Sequence, residues 1–206
     1  MTRPRIAVID HGAGNLVSIT QALVRCQASP EVVSGPSELE GVDGVVLPGV
    51  GATGSVMAGI AEAGLVDFLQ APSVPLLGIC VGMQVLFDSS DEDEVDCLGL
   101  ISGRVRRLEQ APTLPHIGWN DLSIARAPTL LGDLPDPVVY FVHSYAPVPD
   151  DGSVIAATSV HGREFVAAVA QGDVYGVQFH PERSGPTGLR ILHRFVSRCA
   201  EARRAA

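Results

Sequence analysis

A cysteine at position 80 stands in the string GICVGMQ, Gly78 to Gln84, with a glycine two residues to either side. That is the spacing of the nucleophile elbow GxSxG with sulfur in place of oxygen. Small neighbours let the backbone turn sharply and let a second strand and a substrate approach the reactive side chain. The apolar run before it (Val74, Pro75, Leu76, Leu77) reads as a buried strand, and Met83 to Phe87 has apolar spacing suited to a helix. Cys80 is therefore expected on a strand-to-helix turn, where unpaired N–H groups and the helix dipole favour thiolate over thiol. A hundred positions downstream comes FHPERSG, Phe179 to Gly185. It closes another apolar strand with His180, and Pro181 fixes the bend before Glu182. A thiol nucleophile needs a carrier for its proton, and an imidazole is the usual one. A carboxylate then holds the imidazole tautomer and stabilises its charged form. Cys80, His180 and Glu182 together fit acyl transfer through a covalent intermediate.

Each of the three has a plainer reading when taken singly. Free cysteine is among the most buried residue types, His180 could be a satisfied histidine at a strand end, and Glu182 could be solvated. The conjunction at two strand ends is what points to catalysis.

The elements that must position them alternate from the N-terminus. A strand at Arg5–Asp10 is followed by a glycine turn at 10–15, a helix at Asn15–Cys26, strands at Glu31–Ser34 and Asp43–Leu47, and helices at Ser55–Ala63 and Leu65–Gln70. This order predicts parallel βαβ units with the active site at the carboxyl ends of the strands. The turn after the first strand lacks the third glycine of GxGxxG, so it reads as a tight turn rather than a dinucleotide site. Beyond the elbow, Asp88 to Asp96 is acidic and expected to be a solvated loop. Six β-rich pieces follow, at 99–108, 116–124, 138–147, 154–159, 165–170 and 174–179, and then a helix at Thr187–Arg204. The expected fold is α/β, a three-layer open and mostly parallel sheet flanked by helices, with additional antiparallel strands in the C-terminal half. One domain spanning residues 1–206 is the simplest organisation.

Composition narrows the class. With 46% hydrophobic residues the chain can bury a substantial core, and a net charge of -9 with scattered basic residues argues against a nucleic-acid groove. No apolar segment approaches the roughly 18 to 20 residues of a membrane helix, and a cytoplasmic location is expected. Cys26, Cys80, Cys97 and Cys199 form no CxxC pair, so neither a zinc site nor a disulfide framework is indicated. No metal or other cofactor is called for.

GICVGMQ and FHPE, in this order and spacing, resemble the paired signatures of the triad-type (class I) glutamine amidotransferases. PGVGA (48–52), PHIGWN (115–120), YFVHSY (140–145) and HPERSG (180–185) are similar to the glutaminase subunits of imidazole glycerol phosphate synthase within that family. The resemblance implies hydrolysis of glutamine to glutamate and ammonia. Cys80 would attack the carboxamide, His180 would protonate departing ammonia, and Glu182 would orient His180. Backbone N–H groups of Val50 and Val81 would form the oxyanion hole, controlled by a peptide flip that Gly49 and Gly51 allow. Glutamine would be held by Gly51, Gln84, Ser144 and Tyr145, with Glu92 pairing with its amino group. His116, Trp119, Asn120, Tyr140 and Arg183 are the implied partner face. The implied partner is a cyclase subunit, a (β/α)8 barrel, in a one-to-one heterodimer. The chain departs from the pattern at His11, where tyrosine is more usual, at Thr53, where an aromatic usually follows PGVGA, and at Arg183, where lysine is common. Two other functions compete: a stand-alone cysteine hydrolase of the same architecture, which would be active without a partner, and a non-catalytic binding subunit, which an intact triad disfavours.

Overall fold

Strands buried on both faces read as continuous apolar runs, and three segments of the N-terminal half meet that description. The computed structural model describes residues 2–12, 14–125, 130–132, 134–135 and 137–205, so Ala13 of the glycine turn lies outside the described residues. In chain order the elements are β1 (Arg5–Ile9), α1 (Leu16–Arg25), β2 (Ser29–Val33), β3 (Gly44–Gly49), α2 (Thr53–Glu62), α3 (Val66–Gln70), β4 (Leu76–Cys80) and α4 (Val81–Gln84). There follow β5 (Phe87–Ser90), β6 (Val95–Asp96), β7 (Ile101–Arg107), β8 (His116–Asp121), β9 (Ser123–Ile124), β10 (Val138–His143) and β11 (Tyr145–Pro149). The chain closes with β12 (Ile155–His161), β13 (Arg163–Gln171), β14 (Val174–Val177) and α5 (Gly185–Ala205).

The main sheet has the order β2-β1-β3-β4-β14-β13-β12-β9. Its first five strands run parallel, and β13, β12 and β9 continue it antiparallel. This bears out the expected α/β class with antiparallel additions. Every residue of β3 and β4 is buried. Helix α1 is capped by Asn15, whose side chain accepts from the Ser18 N–H at 3.2 Å, and it turns Ile19, Ala22 and Leu23 inward. Helix α5 lies beside α1 and buries Ile191, Leu192, Phe195, Val196 and Cys199. In the register of β4 with its neighbours, Cys80 faces Gly49 of β3, and Ile79 faces Val177 of β14. The chain that carries His180 therefore leaves the sheet beside Cys80.

Three expectations shift. The helix after the elbow is a single turn, Val81–Gln84, and Phe87 already begins β5. Val85, Leu86 and Phe87 are fully buried, and an apolar run enclosed on all sides shows no period that separates helix from strand. The acidic segment 88–96 is not a loop throughout, since it holds part of β5 and all of β6, antiparallel to one another. The pieces 116–124 and 138–147 each break in two. β8 pairs β10 in a separate two-stranded ribbon, whereas β11 joins β7, β5 and β6. Ser144 is the single residue between β10 and β11. Among the described residues no helix is long and apolar enough to cross a membrane.

Candidate active site

β4 delivers Cys80 at φ 55°, ψ −112°, a left-handed conformation that costs a non-glycine residue about 1–3 kcal/mol. Close packing imposes it. A Cβ on Gly82 would lie 1.8 Å from the Leu47 carbonyl oxygen, and one on Gly78 would lie 2.4 Å from the Gly82 oxygen. The two glycines thus let α4 press against β3 and β4, so the chain must reverse sharply at Cys80. With only four residues in α4, a long-helix dipole contributes little. The polar groups around the sulfur matter more. Cys80 is 3% exposed, and Gln178 Nε2 donates to its Sγ at 3.7 Å, while the Val142 carbonyl lies at the same distance.

His180 Nδ1 lies 2.9 Å from Glu182 Oε1. Glutamate can only accept when ionised, so Nδ1–H donates and Nε2 is left for the sulfur. Pro181 opens a short 3-10 turn, Pro181–Arg183, that brings Glu182 back to the ring. The backbone of His180 is pinned at both ends. Its N–H donates to the Tyr140 carbonyl at 2.9 Å, and its carbonyl accepts from Ser184 Oγ at 2.6 Å. Burial disfavours the imidazolium, but hydrogen bonds and charge from Cys80 and Glu182 outweigh it and raise His180 to about 10. A protonated His180 facing the sulfur suits an acid that protonates a leaving group. Glu182 Oε2 is buried without a hydrogen-bond partner, so the imidazolium is the main compensation for that carboxylate.

Cys80, Val81 and His180 line one cavity of about 120 Å³. Val50, Gly51, Gln84, Glu92, Ser144 and Tyr145 complete most of its wall. Nine residues expected from five separate stretches thus meet around one small space. Gln84 Nε2 donates to the Tyr145 carbonyl at 3.0 Å and to Gln178 Oε1 at 3.1 Å, while its own Oε1 is buried and unpartnered. The oxygen of Gln84 is an acceptor available to a bound amide or ammonium donor.

The five expected partner-face residues are placed differently from one another. Trp119 is 57% exposed and packs edge-on against Tyr140, with centroids 5.8 Å apart. Asn120 Nδ2 donates to the Val160 carbonyl at 2.7 Å, and Arg183 is exposed. His116 does not reach the surface. It is 4% exposed, stacked on His161 at 4.1 Å, and its Nδ1 lies 3.1 Å from His143 Nε2. His143 Nδ1 donates to the Tyr145 carbonyl at 2.9 Å, so His143 Nε2 is the acceptor and His116 Nδ1–H the donor. The His143 ring must then be neutral. Burial, chiefly, pushes His143 down to about 3 and His116 down to about 4.

Gln178, Thr53, Val142 and His143 were not singled out from the sequence as site residues. A glutamine in the apolar strand end VYGVQF was the available signal for Gln178, because a buried amide requires partners. Thr53 carried no such signal. Its N–H and Oγ1 both bond Glu92 Oε2, at 3.0 and 2.9 Å.

The glutamine amidotransferase class-I family model matches residues 7–199. Curated relatives include the imidazole glycerol phosphate synthase subunit HisH of Xylella fastidiosa strain Temecula1, 49% identical over 93% of this chain and 96% of that protein. The subunit of the same name from Thermosynechococcus vestitus is 43% identical over 96% and 98% of the two chains, and that from Halobacterium salinarum 45% over 95% and 94%. Among solved structures, PurLQS from Thermotoga maritima superposes with a TM-score of 0.75 at 20% identity, covering 95% of this chain and 98% of that one. A glutamine amidotransferase structure gives 0.72 at 23% identity, with the same coverage. At these identities the structures speak to the fold alone.

Proposed function

The chain belongs to the class-I glutamine amidotransferases, and from that premise we propose that it is the glutaminase subunit of an imidazole glycerol phosphate synthase, acting in histidine biosynthesis. The observation that carries this reading is the meeting of Cys80, His180 and Gln84 on one cavity, with Glu182 behind the histidine. The 206 residues act as one amidotransferase domain in the cytoplasm.

Glutamine enters with its side-chain carboxamide toward Cys80 and its amino group toward Glu92. Gly51, Gln84, Ser144 and Tyr145 complete the binding wall. The sulfur anion attacks the carboxamide carbon, and the oxygen of that group takes up the negative charge. Val81 N–H meets this oxyanion from α4, and Val50 N–H meets it once the Gly49–Val50 peptide points inward. Losing one such donor typically costs about 10²- to 10³-fold in turnover, so that peptide is a switch. As the carbon–nitrogen bond breaks, His180 gives its proton to the departing nitrogen and ammonia leaves. A γ-glutamyl thioester on Cys80 remains, with a neutral imidazole beside it. Water then adds to the thioester carbonyl while His180 takes its proton. Collapse expels the thiolate and releases glutamate, restoring the starting ion pair.

Ammonia passes to a cyclase subunit, a (β/α)8 barrel bound one-to-one, which makes imidazole glycerol phosphate and AICAR. The exposed Trp119, with Tyr140, Asn120 and Arg183, forms the face for that partner, and His116 stiffens the ribbon from beneath. To test the reading, glutamate release is measured with and without the cyclase subunit and its ribotide ligand. Turnover should need the partner and vanish in Cys80→Ala. Full activity of the chain alone would favour a stand-alone hydrolase, and full turnover by Cys80→Ala would exclude the cysteine mechanism.

A further inference from the structure

We infer that Thr53 is a positioning residue for substrate specificity: it holds the Glu92 carboxylate at the edge of the cavity, where it selects substrates that carry an α-ammonium group. This rests on the assignment of Glu92 to the substrate amino group given above, and it adds the part of the chain that makes Glu92 effective.

Thr53 is the first residue of α2 and is fully buried. Its N–H and its hydroxyl both donate to the same oxygen, Glu92 Oε2, at 3.0 and 2.9 Å. Ser90 Oγ donates to Thr53 Oγ1 at 3.2 Å and accepts from the Glu92 N–H at 3.1 Å. A threonine hydroxyl has one hydrogen, so accepting from Ser90 commits that hydrogen to Glu92. The next N–H of α2, from Gly54, is taken by Asp93 Oδ2 at 3.2 Å, so the two acids do not compete for one donor. Both bonds to Glu92 fall on Oε2, and among the described residues no donor reaches Oε1. Since Glu92 lines the cavity, its remaining oxygen is the one left for a bound cation.

The chemistry follows from what each partner does to the acid. Two hydrogen bonds to one oxygen, both from the start of a helix, fix the rotamer of the acid and aim its other oxygen at the cavity. A carboxylate so held is a preorganised receptor for an ammonium group and does not have to be ordered when substrate binds. The aromatic residue that the family resemblance leads one to expect at position 53 has no side-chain donor able to do this. The hydroxyl is therefore a feature of this chain's own way of holding Glu92, and the segment 88–96 is a structural part of the site rather than a purely solvated run.

The test compares L-glutamine with glutaramate, the same amide lacking the α-amino group, as substrates of the assembled complex with cyclase subunit and ribotide ligand. The readout is the ratio of kcat/KM for the two. In Thr53→Val, which keeps shape and the backbone N–H but loses the hydroxyl, the ratio should fall roughly 5- to 20-fold, mainly through a higher KM for glutamine. Thr53→Ser should restore it, and Ser90→Ala, which breaks the chain one step earlier, should lower it in the same direction by less. Ser90→Ala also keeps the test decisive should the valine variant not fold. Equal loss on both substrates, or an unchanged ratio in Thr53→Val and Ser90→Ala, would overturn the inference. Glu92→Gln separates the two levels. If it abolishes the discrimination while the Thr53 and Ser90 variants keep it, the role of Thr53 fails and that of Glu92 stands. If Glu92→Gln also keeps it, the assignment of Glu92 itself is wrong.

Discussion

Replacing Glu182 by glutamine removes one charge and leaves the shape of the site almost intact, which makes it the most informative single change. The rise of His180 from 6.5 to about 10 corresponds to on the order of 5 kcal/mol in favour of the imidazolium. Cys80 and Glu182 share that stabilisation against the opposing effect of burial. If Glu182 carries about half, its neutralisation weakens the ion pair by roughly 2 to 3 kcal/mol, or about 10²-fold in rate. A glutamine side chain can also present its N–H₂ to Nδ1 in place of an acceptor. That would favour the tautomer with its proton on Nε2 and extend the loss toward about 10⁴-fold. The assay is glutamate release by the assembled complex between pH 6 and 10.5. Activity needs protonated His180 and is lost as pH rises through its pKa, so Glu182→Gln should move the alkaline limb to lower pH as well as reduce kcat. A loss under about 3-fold with the alkaline limb unmoved would refute the role given to Glu182 and the cause given for the raised imidazole.

Gln178→Met removes the N–H that reaches Cys80 Sγ and the oxygen that accepts from Gln84. It should lower kcat/KM by about 10-fold and cost about 1–3 kcal/mol in chemical denaturation, because a buried donor of Gln84 loses a partner. Trp119→Ala should weaken binding of the cyclase subunit by about 2 kcal/mol or more in calorimetry, with little change in melting temperature because the ring is 57% exposed. Stability should also fall on acidification. His143 and His116 have folded pKa values near 3 and 4 against about 6.5 unfolded, so the unfolded chain binds their protons first. The stability they contribute is complete above pH 6.5 and declines below it by up to about 1.4 kcal/mol per pH unit for each ring. Urea denaturation at pH 7 and pH 5 measures this, and His143→Asn should flatten the difference.

The order of strands and helices in the N-terminal half was legible because buried parallel strands and amphipathic helices have different periods. β1, α1, β3 and β4 lie within a few residues of where hydrophobic spacing puts them. The candidate triad was legible for a different reason. A sharp turn needs glycines, and Gly78 and Gly82 mark the turn whatever surrounds it. What the sequence could not carry was information held between segments. Val85 to Phe87 is apolar in every direction, so the end of the helix and the start of β5 at Phe87 are decided by pairing with Ile101 of β7, a partner that the local pattern does not reveal. The bond between Thr53 and Glu92 joins residues 39 positions apart, and neither residue type announces the other. His116 sits in a string that looks like an interface, yet its ring is held inside by His143, His161 and Phe141. A pattern of residue types fixes neither which side of a ribbon faces out nor which ring is covered.

The central claim, that the sulfur of Cys80 carries the acyl group of glutamine, is tested most directly by intact-mass analysis of the complex quenched in acid during turnover. One γ-glutamyl group per chain, mapped to Cys80 and released by hydroxylamine, is the expected result. Continued glutamate production with no adduct at any stage of turnover, or an adduct on another of the four cysteines, would contradict it.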